Sequence, residues 1–185
     1  MVAGDAVLQP RIEALLGRFA YSRGTDAAGV AEIDRLRGRM EQELAQERQG
    51  RFNIKTGRGG IVDIEFLVQM LQLRYGPQYP AVRQRATLPA LEALRASGVL
   101  PSEDFQLLTQ GYRFLRTLEN RLRIERDQPV EALETSDKQL FSVARRLGYE
   151  GEEAPTRLLT EYQRQREAIR ACYTRWFTRE KGREQ

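Results

Sequence analysis

The sequence predicts an all-α fold: an antiparallel helical bundle of about seven helices, with a glycine-rich loop before the third. Two observations carry this. Apolar residues recur at i, i+3, i+4 and i+7 through most of the 185 residues, and helix start and stop signals fall between the periodic stretches. A third observation bounds the class. The chain is 41% hydrophobic and 30% charged, a composition typical of globular proteins, and no apolar run approaches the length of a membrane span. At this length one domain covering 1–185 is the expectation.

In chain order, residues 9–21 read as a first helix with Ile12, Leu15, Leu16 and Phe19 on one face. After a turn at 22–25, Asp26 is a good N-cap for a second helix from Ala27 to about Glu47, with Val30, Ile33, Leu36, Met40 and Leu44 as its apolar stripe. Residues 51–55 read as a short extended segment. The third helix runs from Ile61 to about Tyr75 and stops at Gly76-Pro77. Thr87 is expected to cap a short helix that runs to Ala96, with Gly98 just past its end. Pro101-Ser102 opens a long helix to about Arg126, with Phe105, Leu108, Tyr112, Leu115, Leu118 and Leu122 inward and Gly111 permitting a close crossing. Asp127-Gln128-Pro129 breaks that pattern. Ser136 and Gln139 form a capping box for a helix over 137–147. Pro155 opens the last helix, which carries Leu158, Leu159, Tyr162, Ile169, Tyr173 and Trp176, with fraying expected over 181–185. Aromatic residues on these stripes are read as core.

Composition removes several chemistries. There is no histidine, so His-dependent triads, His bases and His-containing metal sites are excluded. The single Cys172 excludes an internal disulfide and a thiolate zinc cluster, and reads as a small core residue. Basic residues are almost all arginine, but a net charge of +4 without clustering argues against nucleic acid binding. The N-terminal residues carry no signal-peptide pattern, so a cytoplasmic location is expected.

Chemistry-capable residues concentrate in Arg51-Phe52-Asn53-Ile54-Lys55-Thr56-Gly57-Arg58-Gly59-Gly60-Ile61-Val62-Asp63-Ile64-Glu65-Phe66. Gly57, Gly59 and Gly60 lead into a helix N-terminus with Lys55 and Arg58 beside it. Free amides and the helix dipole favour an anion at such a place. The loop is not a P-loop, because Lys55 precedes the glycines, and not a dinucleotide fingerprint, because Val62 stands where a third glycine belongs. Asp63 and Glu65 would repel a phosphate. A helix cap whose acids pair with arginines is therefore an equally open reading. A second candidate group is Arg116, Glu119, Asn120 and Arg121, of which Arg116 can share a helix face with Glu119 and Asn120 at three and four residues. It reads either as a solvated face or as a polar network that reaches the loop and pairs Arg116 or Arg121 with Asp63 or Glu65.

The loop run, with Lys55, Gly59-Gly60 and Asp63-Ile64-Glu65-Phe66, resembles the signature of the helical domain of glutamine synthetase adenylyltransferase. A related helical domain occurs in the uridylyltransferase of the nitrogen signalling protein PII. Tyr112-Arg113-Phe114-Leu115-Arg116-Thr117-Leu118-Glu119-Asn120-Arg121-Leu122 is similar to a helix of that family, and Val2-Ala3-Gly4-Asp5 agrees in order. Arg51-Phe52-Asn53 and Asp63 look more like the C-terminal, adenylylating half of the two-halved enzyme. The resemblance implies transfer of AMP from ATP to a tyrosine of glutamine synthetase with Mg²⁺. Further partners it implies are an upstream nucleotidyltransferase domain and the PII protein. The family's Gly-Ser loop and Asp-x-Asp metal pair occur nowhere in these residues, so no catalytic residue and no metal ligand are assigned here. The resemblance thus implies a helical domain that completes or supports the transferase site through Lys55, Arg58 and the Gly57–Gly60 amides. The alternatives are the helical domain of a PII uridylyltransferase and a non-catalytic module that docks a regulator.

Overall fold

The computed structural model describes residues 8–126, 132–135 and 137–183. Its elements are α1 (Leu8–Tyr21), α2 (Ala27–Leu44), β1 (Arg51–Asn53), α3 (Ile61–Tyr75), a 3-10 turn (Pro80–Val82), α4 (Thr87–Ala96), α5 (Ser102–Arg126), β2 (Ala132–Glu134), α6 (Asp137–Arg146) and α7 (Ala154–Lys181). The expected all-α class stands, with one small addition. β1 pairs with β2 antiparallel, in the register Arg51↔Glu134, Phe52↔Leu133 and Asn53↔Ala132. At three residues, β2 is too short to show a period, so its sequence carries no strand signal.

The long α7 runs through the middle and packs on α2, α3, α5 and α6. Its buried residues Ala154, Leu158, Tyr162, Gln165, Ile169, Cys172, Tyr173, Trp176, Phe177 and Glu180 recur at three- and four-residue steps. Shorter α3 is buried over most of its circumference, including Ile61, Ile64, Leu67, Met70 and Leu71, because α2, α4, α5 and α7 surround it. Gly111 permits the close crossing of α5 and α7, since a Cβ there would stand 2.8 Å from Ile169 Cδ1. Trp176 Nε1 donates to Asp104 Oδ2 at 2.8 Å, which satisfies the one polar atom of a buried indole. Cys172 is buried as expected, and burial pushes its thiol up to about 12.

Three sequence expectations are corrected. The apolar face of α1 is not core: Ile12, Leu15, Leu16 and Phe19 are all exposed. On α2, Leu36 and Leu44 are exposed too, while Val30 and Arg37 are the buried residues. This helix meets α7 through polar side chains: Tyr173 Oη donates to Asp34 Oδ1 at 2.9 Å, and Lys181 Nζ to Asp34 Oδ2 at 2.8 Å. Finally, Thr87 is the first helical residue of α4 and not its cap; Ala86 holds the cap position with no side-chain bond. Asp26 does cap α2, its Oδ1 accepting Gly29 N at 2.8 Å. The expected capping serine, Ser136, and the break at 127–129 lie outside the described residues, as do Val2 to Asp5.

Candidate functional site: the glycine loop and its arginine clamp

The loop between β1 and α3 folds on itself before anything else touches it. Asn53 Oδ1 accepts the amides of Lys55 and Thr56 at 3.0 and 2.9 Å, an Asx-type turn that starts the loop. Gly57 N then donates to Asn53 O, Gly60 N to Gly57 O, Ile61 N to Ile54 O, Val62 N to Lys55 O and Asp63 N to Gly60 O, all between 3.0 and 3.1 Å. Gly59 N donates to Asp63 Oδ2 at 2.8 Å. The first-turn amides of α3 and those of Gly57, Gly59 and Gly60 are therefore already paired within the loop. That is the usual fate of buried backbone groups, and it leaves the side chains of Lys55 and Arg58 as the loop's cationic groups. Lys55 is half-buried and Arg58 exposed.

The glycines are demanded by close approach. Gly59 has φ +69°, and a Cβ on it would lie 2.0 Å from the carbonyl oxygen of Arg166. At Gly60 a Cβ would come within 2.7 Å of Lys55 O. The loop thus lies directly on the backbone of α7.

Asp63 sits in the first turn of α3 with no exposed surface, and Arg37 of α2 is as deeply buried. Arg37 Nε donates to Asp63 Oδ1 at 2.6 Å, and its Nη2 donates to the carbonyls of Thr56 and Gly57 at 3.1 and 3.0 Å. Arg170 Nη1 of α7 donates to both Asp63 oxygens at 3.3 and 3.2 Å and to Glu41 Oε2 at 3.0 Å. Glu41 also stands 3.4 Å from Arg37 Nη1 as an ion pair. Two guanidinium groups and two carboxylates thus form one nearly closed cluster. Burial works against the Arg170 charge, but the Asp63 and Glu41 carboxylates outweigh it and hold its affinity for the proton above the ordinary value. Arg166, one turn earlier on α7, clamps the loop from outside. Its Nε donates to Arg58 O at 3.0 Å and its Nη2 to Glu47 Oε2 at 2.8 Å, while the guanidinium lies 5.0 Å from the centre of the Phe52 ring. Glu47 Oε1 in turn accepts Asn53 N at 3.0 Å.

Placed on this geometry, the expected site residues separate. Lys55, Gly57, Arg58, Gly59, Gly60 and Asp63 come together in one loop. Glu65 faces another way and accepts Tyr112 Oη of α5 at 3.3 Å. It lines a small polar cavity of about 30 Å³ with Gln69 and Gln72. The group on α5 does not reach the loop, so the expected pairing of Arg116 or Arg121 with Asp63 or Glu65 is not made. Arg116 Nη1 instead donates to buried Glu119 at 2.7 Å, and Arg123 pairs with the same carboxylate at 2.9 Å. Asn120 and Arg121 line an open groove of about 490 Å³ with Thr117, Arg123 and Ile124. Asp63 takes its arginines from α2 and α7 because those helices, and not α5, cross the start of α3. Sequence reading missed Arg37, Glu41, Glu47, Arg166 and Arg170. Only the spacing of Arg166 and Arg170, one turn apart on α7, hinted at a shared face.

Among the described residues, no three His, Cys, Asp or Glu side chains group to hold a metal ion, and no helix is long and apolar enough to cross a membrane. The donor set of the loop does not suit a divalent cation, since both Asp63 oxygens are already bonded to guanidinium or amide.

Comparison with known proteins adds the relationship. The family model for GlnD PII-uridylyltransferase matches residues 30–177, a span holding the loop, the clamp and α5. Three curated proteins are similar along most of the chain, and each is named bifunctional glutamine synthetase adenylyltransferase/adenylyl-removing enzyme. The one from Xanthomonas axonopodis pv. citri is 40% identical over 148 residues, covering 80% of this chain and 15% of its own length. That of Bordetella pertussis is 38% identical over 146 residues, 76% of this chain and 16% of its length. That of Streptomyces avermitilis is 34% identical over 178 residues, 95% of this chain and 18% of its length. The chain therefore spans less than a fifth of the relatives it matches.

Proposed function

The chain belongs to the GlnD PII-uridylyltransferase family, and from that premise we propose that its 185 residues form one domain, the helical domain of the C-terminal, adenylylating half of a glutamine synthetase adenylyltransferase. In this reading the domain works joined to an upstream nucleotidyltransferase domain in the cytoplasm. The joined enzyme transfers AMP from ATP to a tyrosine of glutamine synthetase, with Mg²⁺ held by the catalytic domain and PII as a regulating partner. What supports the reading is the naming of relatives 34–40% identical over most of the chain. The observation that supports a part for this domain is the clamped loop. Arg37 and Arg166 donate to carbonyls of the glycine loop and Arg170 to Asp63 at its end, while Arg58 is exposed and Lys55 half-buried.

The chemistry asked of these residues is modest. ATP and Mg²⁺, when bound, supply the activated phosphoryl group and most of its charge neutralisation. Lys55 and Arg58 would add fixed positive charge where negative charge grows in the transition state, and a loop that cannot reorganise makes such charge effective. Asp63 and Glu41 serve as counter-charges to the clamp and perform no acid–base step. The isolated chain is expected to be inert.

The test compares two polypeptides, the 185-residue chain and the longer one joining it to its nucleotidyltransferase domain. Each is incubated with labelled ATP, Mg²⁺ and glutamine synthetase. The joined protein should label the synthetase and the isolated chain should not. Lys55→Ala in the joined protein should lower the rate at least tenfold, equivalent to about 1.4 kcal/mol in the barrier, with the unfolding midpoint nearly unchanged. Normal turnover in that variant would reduce the loop to a helix cap. A second reading, the helical domain of a PII uridylyltransferase, is consistent with the description of the matching family. Labelled UTP with PII as acceptor in place of glutamine synthetase separates the two.

A further inference from the structure

α1 turns its apolar face away from the bundle. Leu8, Ile12, Leu15, Leu16 and Phe19 fall within one arc of the helix and are 50, 41, 58, 60 and 88% exposed. Its half-buried residues are Gln9, Glu13, Gly17 and Tyr21, one every fourth position, and at 100° per residue Glu13, Gly17 and Tyr21 lie across the helix from Phe19. That polar side is the fastening. Glu13 accepts Arg85 Nη2 at 2.7 Å, and the Tyr21 ring packs against Gly76, where a Cβ would lie 2.6 Å from it, with the Arg83 guanidinium above. The bundle takes the other side of α1, and only to half-burial. A stripe of this kind held open marks an interaction site.

We propose that this face of α1 is the surface on which the nucleotidyltransferase domain docks; the inference rests on the functional reading above. Two observations choose that occupant over a second copy of the chain. The first is size. A helix of 14 residues is about 21 Å long and roughly 10 Å wide, a footprint of about 200 Å², far below the ~800 Å² that each partner of a stable complex buries. So small a face holds a partner only when a covalent connection keeps it at high effective concentration, and the relatives carry more than four-fifths of their length beyond the matched region. The second is charge. Arg11 and Arg18 rim one edge of the stripe and line a groove of about 470 Å³ with Leu8, Ile12, Ala14 and Leu15. The docking surface therefore presents an apolar ridge with carboxylates along one side.

The experiment uses the 185-residue chain and the joined polypeptide, each as wild type, as the triple variant Leu15→Asp/Leu16→Asp/Phe19→Asp, and as Arg11→Glu/Arg18→Glu. The readouts are sedimentation, the rate of proteolysis at the connection over 22–26, and AMP transfer to glutamine synthetase. The isolated chain should be monomeric, with a melting temperature the triple variant leaves unchanged. In the joined wild type, cleavage at the connection should be at least tenfold slower than in the isolated chain. The triple variant should restore the fast rate, and the charge reversal should restore part of it. Equal cleavage in isolated and joined wild type overturns the docking proposal. So does a dimer of the isolated chain that the triple variant dissolves. Because proteolysis does not depend on turnover, a joined protein that protects the connection yet transfers no AMP overturns the functional reading and still supports docking.

Discussion

Two groups of arginines, at the loop and on the outer face of α5, use the same side chain for different ends. At the loop, Arg37 is 1% exposed and its guanidinium contacts Asp63 and two backbone carbonyls. On α5, Arg116 and Arg123 have side chains about half exposed that flank Glu119, while Arg113 and Arg121 stand in solvent. The difference is geometric. A planar fork of donors suits a crowded junction where a carboxylate and loop carbonyls converge, because its separate N–H groups reach several acceptors at once; only Nη1 makes no hydrogen bond and stands in the ion pair with Glu41. In solvent the same fork competes with water and contributes little. Glu119 lies between the cases, a buried carboxylate paired with two half-exposed cations.

The contrast can be broken experimentally. Arg37→Ala should cost about 3–5 kcal/mol in urea denaturation, because it leaves the buried Asp63 carboxylate with only Arg170 and the Gly59 amide. Leu118→Ala supplies the apolar yardstick. Leu118 is wholly buried on α5, so its truncation should cost about 2–5 kcal/mol. If Arg37→Ala proves milder than Leu118→Ala by several kcal/mol, water has entered the clamp and Arg170 carries it alone. Arg166→Ala should cost about 1–2 kcal/mol through the lost bond to the Arg58 carbonyl and the pair with Glu47, and should quicken amide exchange in the loop. Arg121→Ala should change the unfolding free energy by less than about 0.5 kcal/mol; a larger loss would put Arg121 in a network like that of the loop. The smallest effect belongs to Cys172, whose thiol is buried and shifted upward. At pH 8 a thiol reagent should label it only as fast as the chain opens.

Much of the fold was legible. The 3.6-residue period located the helices, and the cap at Asp26, the stop at Gly76-Pro77 and the positive φ of Gly98 (+72°) fall where the residue types require. Parts of the loop were legible too, since Asn53 and the glycines sit where a tight turn and a close approach are needed. The clamp was not. Arg37 is 26 residues from Asp63 and Arg170 is 107 away, and no local rule pairs residues so distant. The expectation that α5 would supply the loop's arginines failed for the same reason. An exposed and a buried arginine look alike in a sequence.

α1 and α2 show where the boundary lies. Apolar periodicity by itself determined that both are helices and which side of each is greasy, because that follows from 100° per residue and nothing else. Composition excluded histidine chemistry, and the loop motif carried the resemblance to the family that the comparisons show. Only the tertiary structure decided which face turns inward. On α2 the inward face carries Asp34, Arg37 and Glu41, because α7 and the loop offer partners for every charge there. On α1 the inward face is Glu13, Gly17 and Tyr21, and the greasy face stays in solvent. Burial is a property of what surrounds a helix, and a helix sequence states only what it would accept.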